Sequence, residues 1–227
     1  MRLLNLLKGD IRFQYKYGFY LIFLIFSFIY VVVIKVLPLS VQETVSSILI
    51  FTDPTAMGLI FMGAIVHFEI SEKTLNSISV SLISPFEYLL SKLLSISLIS
   101  TLSGLLIGIF TQTINNYISI TIGIFLGSLV FSALGMIMAL KTSSMNGFIL
   151  SIVPAMMLII LPGVAYIIAF DSAWLILHPG IAISELIVHG ENLIIAIISL
   201  LIWLSIVVLI AHRILRKRFK NESGVLK

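Results

Sequence analysis

The stretch Leu93–Leu140 reads LLSISLISTLSGLLIGIFTQTINNYISITIGIFLGSLVFSALGMIMAL, with no Asp, Glu, Lys, Arg or His between Lys92 and Lys141. A run that long without charge has no place in a water-soluble protein. It reads as two hydrocarbon-crossing helices joined by a short polar turn around Gln112–Asn116. The rest of the 227-residue chain repeats the theme: 59% of residues are hydrophobic, 11% are charged, and the mean hydropathy is +1.18. Soluble domains carry roughly 25% charged residues, so the chain belongs in a membrane. Spans without ionisable groups cannot relay protons or sense voltage through side-chain charge. Energy for uphill movement would enter from outside the bilayer.

Six spans are predicted: Gly18–Leu37, Ile48–Phe68, Tyr88–Phe110, Tyr117–Leu140, Phe148–Phe170 and Leu193–Ala211. All are read as helices, because backbone groups in lipid must be satisfied within their own segment. The runs do not alternate in polarity as barrel strands do. The first run is as long as a bilayer crossing requires, so it is read as a span and not as a cleavable signal.

With both termini on one side, that side holds thirteen of the fourteen Lys and Arg residues, and the other side holds only Lys35. The rich side is predicted to be cytoplasmic. Glu43, Asp171, Glu185 and Glu191 then fall outside, with Asp53 near the outer end of span two. The formal charge of +4 belongs to residues flanking spans, so no nucleic-acid partner is expected. Cysteine is absent, which excludes disulfides and thiolate metal sites.

Residues 1–16 read as an amphipathic interfacial helix. Leu3, Leu4, Leu7 and Ile11 recur at helical spacing, and Asn5, Lys8, Arg12 and Lys16 share the opposite face. It serves as a positive anchor or as a lever on a cytoplasmic partner. Ser100, Gly104 and Gly108 in span three, and Gly123 and Gly127 in span four, form small-residue stripes suited to close helix packing. Pro154 and Pro162-Gly163 are expected to interrupt span five. Residues 171–191, with Trp174, His178-Pro179-Gly180 and Glu185, are too broken to span. They are read as a re-entrant or interfacial helical segment, with Trp174 at headgroup level. Residues 212–227 form a basic tail.

The loop of residues 69–92 holds most of the internal polar chemistry. Ser71 is placed to cap a short helix with Glu72 in its first turn. Ser84-Pro85-Phe86-Glu87 is a capping box with proline at the first helical position.

Glu72-Lys73-Thr74-Leu75 and Ser84-Pro85-Phe86-Glu87-Tyr88-Leu89-Leu90-Ser91-Lys92 resemble the signature loop of ABC type-2 transporter permeases, including the five-residue step from Glu87 to Lys92. Lys73 stands where glycine is common, Asn76 where glutamate is common, Leu82 at a usual proline, and Ser91 at a frequent glycine. The opening Leu7–Gly18 is similar to small fluoroquinolone and multidrug export permeases. The resemblance covers nearly the whole chain as one transmembrane domain. It implies that the chain is not itself an enzyme, and that two permease chains, as a homodimer or heterodimer, pair with two ATP-binding chains carrying Mg-ATP. Glu69, Glu72, Lys73, Thr74, Leu75, Asn76 and Ile78 would form a coupling helix. Ser84, Pro85, Glu87 and Lys92 would brace the start of span three, and Lys8, Arg12 and Lys16 would mark the second contact. The chain contains no G-x-x-x-x-G-K-[ST] phosphate loop, so no cofactor of its own is expected. The resemblance implies export of a hydrophobic or amphipathic compound: a drug, lipid or peptide.

Two other classes of function would rest on other residues. An ion-coupled carrier or channel would draw on Lys35, Asp53 and His67. A membrane enzyme would need converging acid–base, nucleophilic or metal groups. No H-E-x-x-H occurs, the histidines His67, His178, His189 and His212 are scattered, and Asp53-Pro54 reads as a helix start.

Overall fold

The computed structural model of the protein describes residues 2–113, 116–168, 173–188 and 191–222. The expectations for Asp171, His189, Lys227 and the Trp174 side chain lie outside the described residues. The described chain is helical, without a strand: α1 (Arg2–Lys16), α2 (Phe19–Val36), α3 (Leu39–Ile50), a π-helical turn (Phe51–Thr55), α4 (Met57–Ser71), α5 (Thr74–Ser79), α6 (Pro85–Thr111), α7 (Tyr117–Lys141), α8 (Met145–Ile168), a 3-10 turn (Ala173–Leu177), α9 (Pro179–Val188) and α10 (Leu193–Glu222). Among the described residues six helical stretches are long and apolar enough to cross a membrane: α2, the α3–α4 run, α6, α7, α8 and α10.

α7 is the centre of the bundle. Its apolar stretch is 72% buried, against 17% for α2 and for α8 and 22% for α10, so these three form the rim. Glycine sets how closely α4 and α7 approach. A Cβ on Gly135 would lie 2.3 Å from the Leu59 backbone oxygen, so no side chain fits there. Elsewhere on α7, a Cβ on Gly123 would meet Leu186 of α9, and one on Gly127 would meet Thr55 of the π turn and Ile183 of α9. Gly104 of α6 faces Ile124 of α7, and Gly108 is buried in the same helix.

Three expectations about the helices are corrected. Span two begins at Leu39, nine residues before the predicted Ile48, and Asp53-Pro54 does not start a helix. It lies inside a continuous run, at the π turn. Pro54 has no N–H for the Ile50 carbonyl; the π turn shifts the pairing to i→i+5, and the Thr55 hydroxyl donates to that oxygen as well, at 2.9 Å. A π turn with a local hydroxyl can thus carry a proline through a membrane helix. Pro154 and Pro162 likewise sit inside α8, which runs on through both. Pro162 leaves the Leu158 carbonyl without its helical donor, and the His178 imidazole hydrogen-bonds to that carbonyl. Burial pushes the His178 pKa down, against the opposing effect of this bond. Residues 212–222 of the basic tail continue α10 as helix.

α9 is short, and every residue from Pro179 to Ile187 is buried. Ser184 donates to the Gly163 carbonyl at 3.0 Å, and Tyr166 donates to the Glu185 carboxylate at 2.7 Å. α9 is therefore a plug bonded into α8, built around a fully buried Glu185 that also accepts from the Asn192 N–H at 2.7 Å.

Candidate functional site

The basic ends of the helices gather around the segment joining α4 to α6. Arg2 donates to the Leu82 carbonyl at 3.3 Å, Arg218 to the Leu140 carbonyl at 3.3 Å, and the Tyr88 and Phe219 rings lie 5.8 Å apart. These contacts bring α1, the loop, α6, the end of α7 and the end of α10 to one end of the bundle.

The capping box at Ser84 forms as predicted from its spacing. The Glu87 N–H donates to Ser84 Oγ at 3.1 Å, and the Ser84 N–H donates to the Glu87 carboxylate at 2.9 Å. With Pro85 at the first position, this starts α6 at a defined residue. Ser71 does not cap α5. Its hydroxyl donates back to the Phe68 carbonyl at 2.7 Å, a local bond that competes with capping. The turn into α5 is made by Lys73, whose φ of 55° lies in the left-handed region. This is the position where the resembling loops favour glycine, and the backbone conformation explains that preference.

α5 is held from beneath by one side chain, the fully buried Leu75. Around it Glu72, Lys73, Thr74, Asn76 and Ser77 are exposed, and Ile78 is half-buried. Val80, Leu82 and Phe86 are exposed apolar residues on the same stretch, Leu82 at 83%. The result is an outward platform of mixed polar and apolar character.

Glu69 does not belong to that platform, contrary to the sequence expectation. It lies in the last turns of α4, 6% exposed, and faces inward. Lys92 of α6, 4% exposed, donates to both Glu69 and Asp10, the latter at 2.6 Å. Tyr88 donates to the second oxygen of Glu69, and Ser91 donates to the second oxygen of Asp10. Gln14, one α1 turn beyond Asp10, donates to Ser95 at 2.8 Å. Lys92 also lies 5.8 Å from the Phe13 ring centroid and 5.4 Å from that of Tyr88. Two carboxylates and one ammonium, with Lys92 and Glu69 buried and Asp10 half-buried, are cross-bonded by hydroxyls and tie α1, α4 and α6 into one block. Buried ions persist only when their hydrogen bonds are met.

Asp10, Gln14, Tyr88 and Ser91 were not singled out for this role from the sequence. A signal was present: Leu3, Leu7, Asp10 and Gln14 share one helical stripe, so two polar residues interrupt the inward side of α1. On the other side of α1, Lys8, Arg12 and Lys16 are exposed.

The residues set aside for an ion-coupled reading are not brought together. Lys35 donates to the Thr111 carbonyl at 3.1 Å, Asp53 is hydrogen-bonded by Tyr30, and His67 lies 3.1 Å from the Thr142 hydroxyl. Among the described residues no group of three or more His, Asp or Glu side chains is placed to hold a metal ion.

Six apolar helices around a glycine-packed centre, with a capped platform at one end, define a multi-pass α-helical membrane protein. The chain belongs to the fluoroquinolones export permease protein family, whose profile matches residues 1–192. It is thus a membrane permease. No curated protein matches the chain.

Proposed function

We propose that this chain is the membrane-spanning subunit of an ATP-driven exporter, with its platform end in the cytoplasm and a separate ATP-binding subunit seated on the segment 72–86. The observation that carries the reading is the ion cluster of Asp10, Glu69 and Lys92. It couples the base of an exposed loop to three helices, so a push on the loop is delivered to α1, α4 and α6 together. Val80, Leu82 and Phe86 supply apolar area for a partner, and Glu72 and Asn76 supply polar contacts. The excess of Lys and Arg at that end agrees with a cytoplasmic location.

In this reading Mg-ATP is bound and hydrolysed on the partner. Closure of the partner tilts the helix block and shifts the permease between two states, without chemistry on this chain. A second permease chain completes the pathway. The family description makes fluoroquinolones, or amphipathic compounds like them, the cargo to test first. An ion-coupled carrier is the weaker reading, because Lys35, Asp53 and His67 each have their own local partner.

The deciding experiment is a mild-detergent pull-down of the chain from its native membrane, followed by mass spectrometry. A stoichiometric P-loop ATPase, lost with Glu72→Ala or Leu82→Asp while the permease itself stays folded, supports the reading. Recovery of an oligomer without an ATPase, together with transport driven by an ion gradient, overturns it.

A further inference from the structure

A groove runs between α2 and α6 on the outside of the bundle. Its first part, about 370 Å³, is lined by residues that include Tyr20, Phe23, Leu24, Ser27, Leu102 and Leu106. A second part, about 330 Å³, shares Leu24, Ser27 and Leu106 and continues to Val31 and Phe110. The wall is apolar in effect, because Ser27 is bonded to Ser103 at 2.6 Å and donates to the Phe23 carbonyl at 2.8 Å. From Tyr20 to Val31 the groove follows eleven helical rises, roughly 16 Å, which is about half of a hydrocarbon core of roughly 30 Å. That is the depth of one leaflet.

At the α1 end the groove does not close. Tyr20 also borders a niche of about 410 Å³ whose other walls are Lys8, Ile11, Arg12 and Tyr15. Lys8 and Arg12 stand four residues apart on one exposed face of α1. The one acid of α1, Asp10, is held on the other side by Lys92 and Ser91. Two cations and two phenols thus sit at the mouth of an apolar groove one leaflet deep.

We propose that this groove is a binding site for an anionic phospholipid. An acyl chain lies between α2 and α6, and the phosphate is held by Lys8 and Arg12. Charge selects this occupant. A zwitterionic lipid has the chain but no net charge for the two cations. A second copy of this chain, packed here about a twofold axis, would bring the same cations toward each other. The lipid would join α1 to the α2–α6 pair from outside, opposite the ion cluster that joins α1 to α6 from within. The assignment holds whatever powers transport.

Native mass spectrometry of the full chain, released from vesicles of equal phosphatidylglycerol and phosphatidylcholine, tests it. The expected result is preferential retention of phosphatidylglycerol. Lys8→Gln with Arg12→Gln should lower that preference about thirtyfold, roughly fivefold per cation. Lys73→Gln with Lys141→Gln removes the same charge away from the groove and should leave it unchanged. Equal retention of both lipids, an unaffected preference in the first variant, or an equal loss in the second overturns the proposal. A photo-crosslinker at Leu102 supplies the second readout: capture of lipid supports it, and capture of another copy of the chain overturns it.

Discussion

Lys92 of α6 holds Asp10 of α1 at 2.6 Å across 82 positions of sequence, and its other contact is Glu69 of α4. A single ammonium therefore serves two carboxylates from two other helices, Glu69 buried and Asp10 half-buried. Removing it leaves the buried Glu69 and the half-buried Asp10 without their shared cation.

Lys92→Met is expected to destabilise the detergent-solubilised protein by about 3–5 kcal/mol, the usual range for breaking a buried ion pair from one side. It should also release α1, so trypsin cuts after Lys8, Arg12 and Lys16 faster than in the parent. Adding Asp10→Asn and Glu69→Gln removes the stranded charges and should restore part of the loss. Thermal unfolding and timed proteolysis check both. A Lys92→Met protein with parental melting and cleavage would contradict the clamp.

Gly135→Ala is expected to cost about 1–3 kcal/mol, because the added carbon falls 2.3 Å from a backbone oxygen of α4 that has nowhere to move. Gly9→Ala is the matched control. Nothing lies within 4 Å of its Cβ, and it should gain up to about 1 kcal/mol from helix propensity. Melting temperatures of the two variants should move in opposite directions.

Lys73→Gly is expected to stabilise the loop by about 1 kcal/mol, since it relieves a left-handed backbone at a side-chain-bearing residue. Lys73→Ala removes the same charge but keeps the Cβ, so it should bring no such gain. Hydrogen exchange over residues 72–84 separates the two. Equal protection in both would show that charge, not backbone conformation, governs the turn.

Ser84→Ala is expected to cost about 1 kcal/mol through the lost cap and to fray the first turn of α6. The readout is faster amide exchange at Phe86–Tyr88, with exchange in α7 unchanged. If α7 loosens equally, the cap serves the bundle and not the local helix start.

Much of this architecture is legible from local chemistry. Charge-free runs specify spans, and Ser84-Pro85-Phe86-Glu87 specifies where α6 starts, because a capping box is satisfied within four residues. The same local rules misplace the start of span two. Asp53-Pro54 has the composition of a helix start, but the π turn and the Thr55 hydroxyl next to it satisfy the carbonyl that Pro54 leaves open. Ser71 fails as a cap because its own helix offers it the Phe68 carbonyl first. Glu69 reads as part of a surface loop, and only its neighbours Lys92 and Tyr88 turn it inward.

Hydrophobicity and the need to satisfy every backbone group in lipid act residue by residue along the chain. The sequence by itself therefore determined a helical membrane protein with six spans and its basic residues gathered at one end. Which polar side chains meet is a different matter. The Asp10–Lys92–Glu69 cluster, the burial of Glu185 against Tyr166, and the niche of Lys8 and Arg12 at the α2–α6 groove each join residues from different helices. No periodicity within one helix encodes which neighbour it meets. The packing of α1 against α4 and α6, of α9 against α8, and of α1 beside α2 decided those pairings.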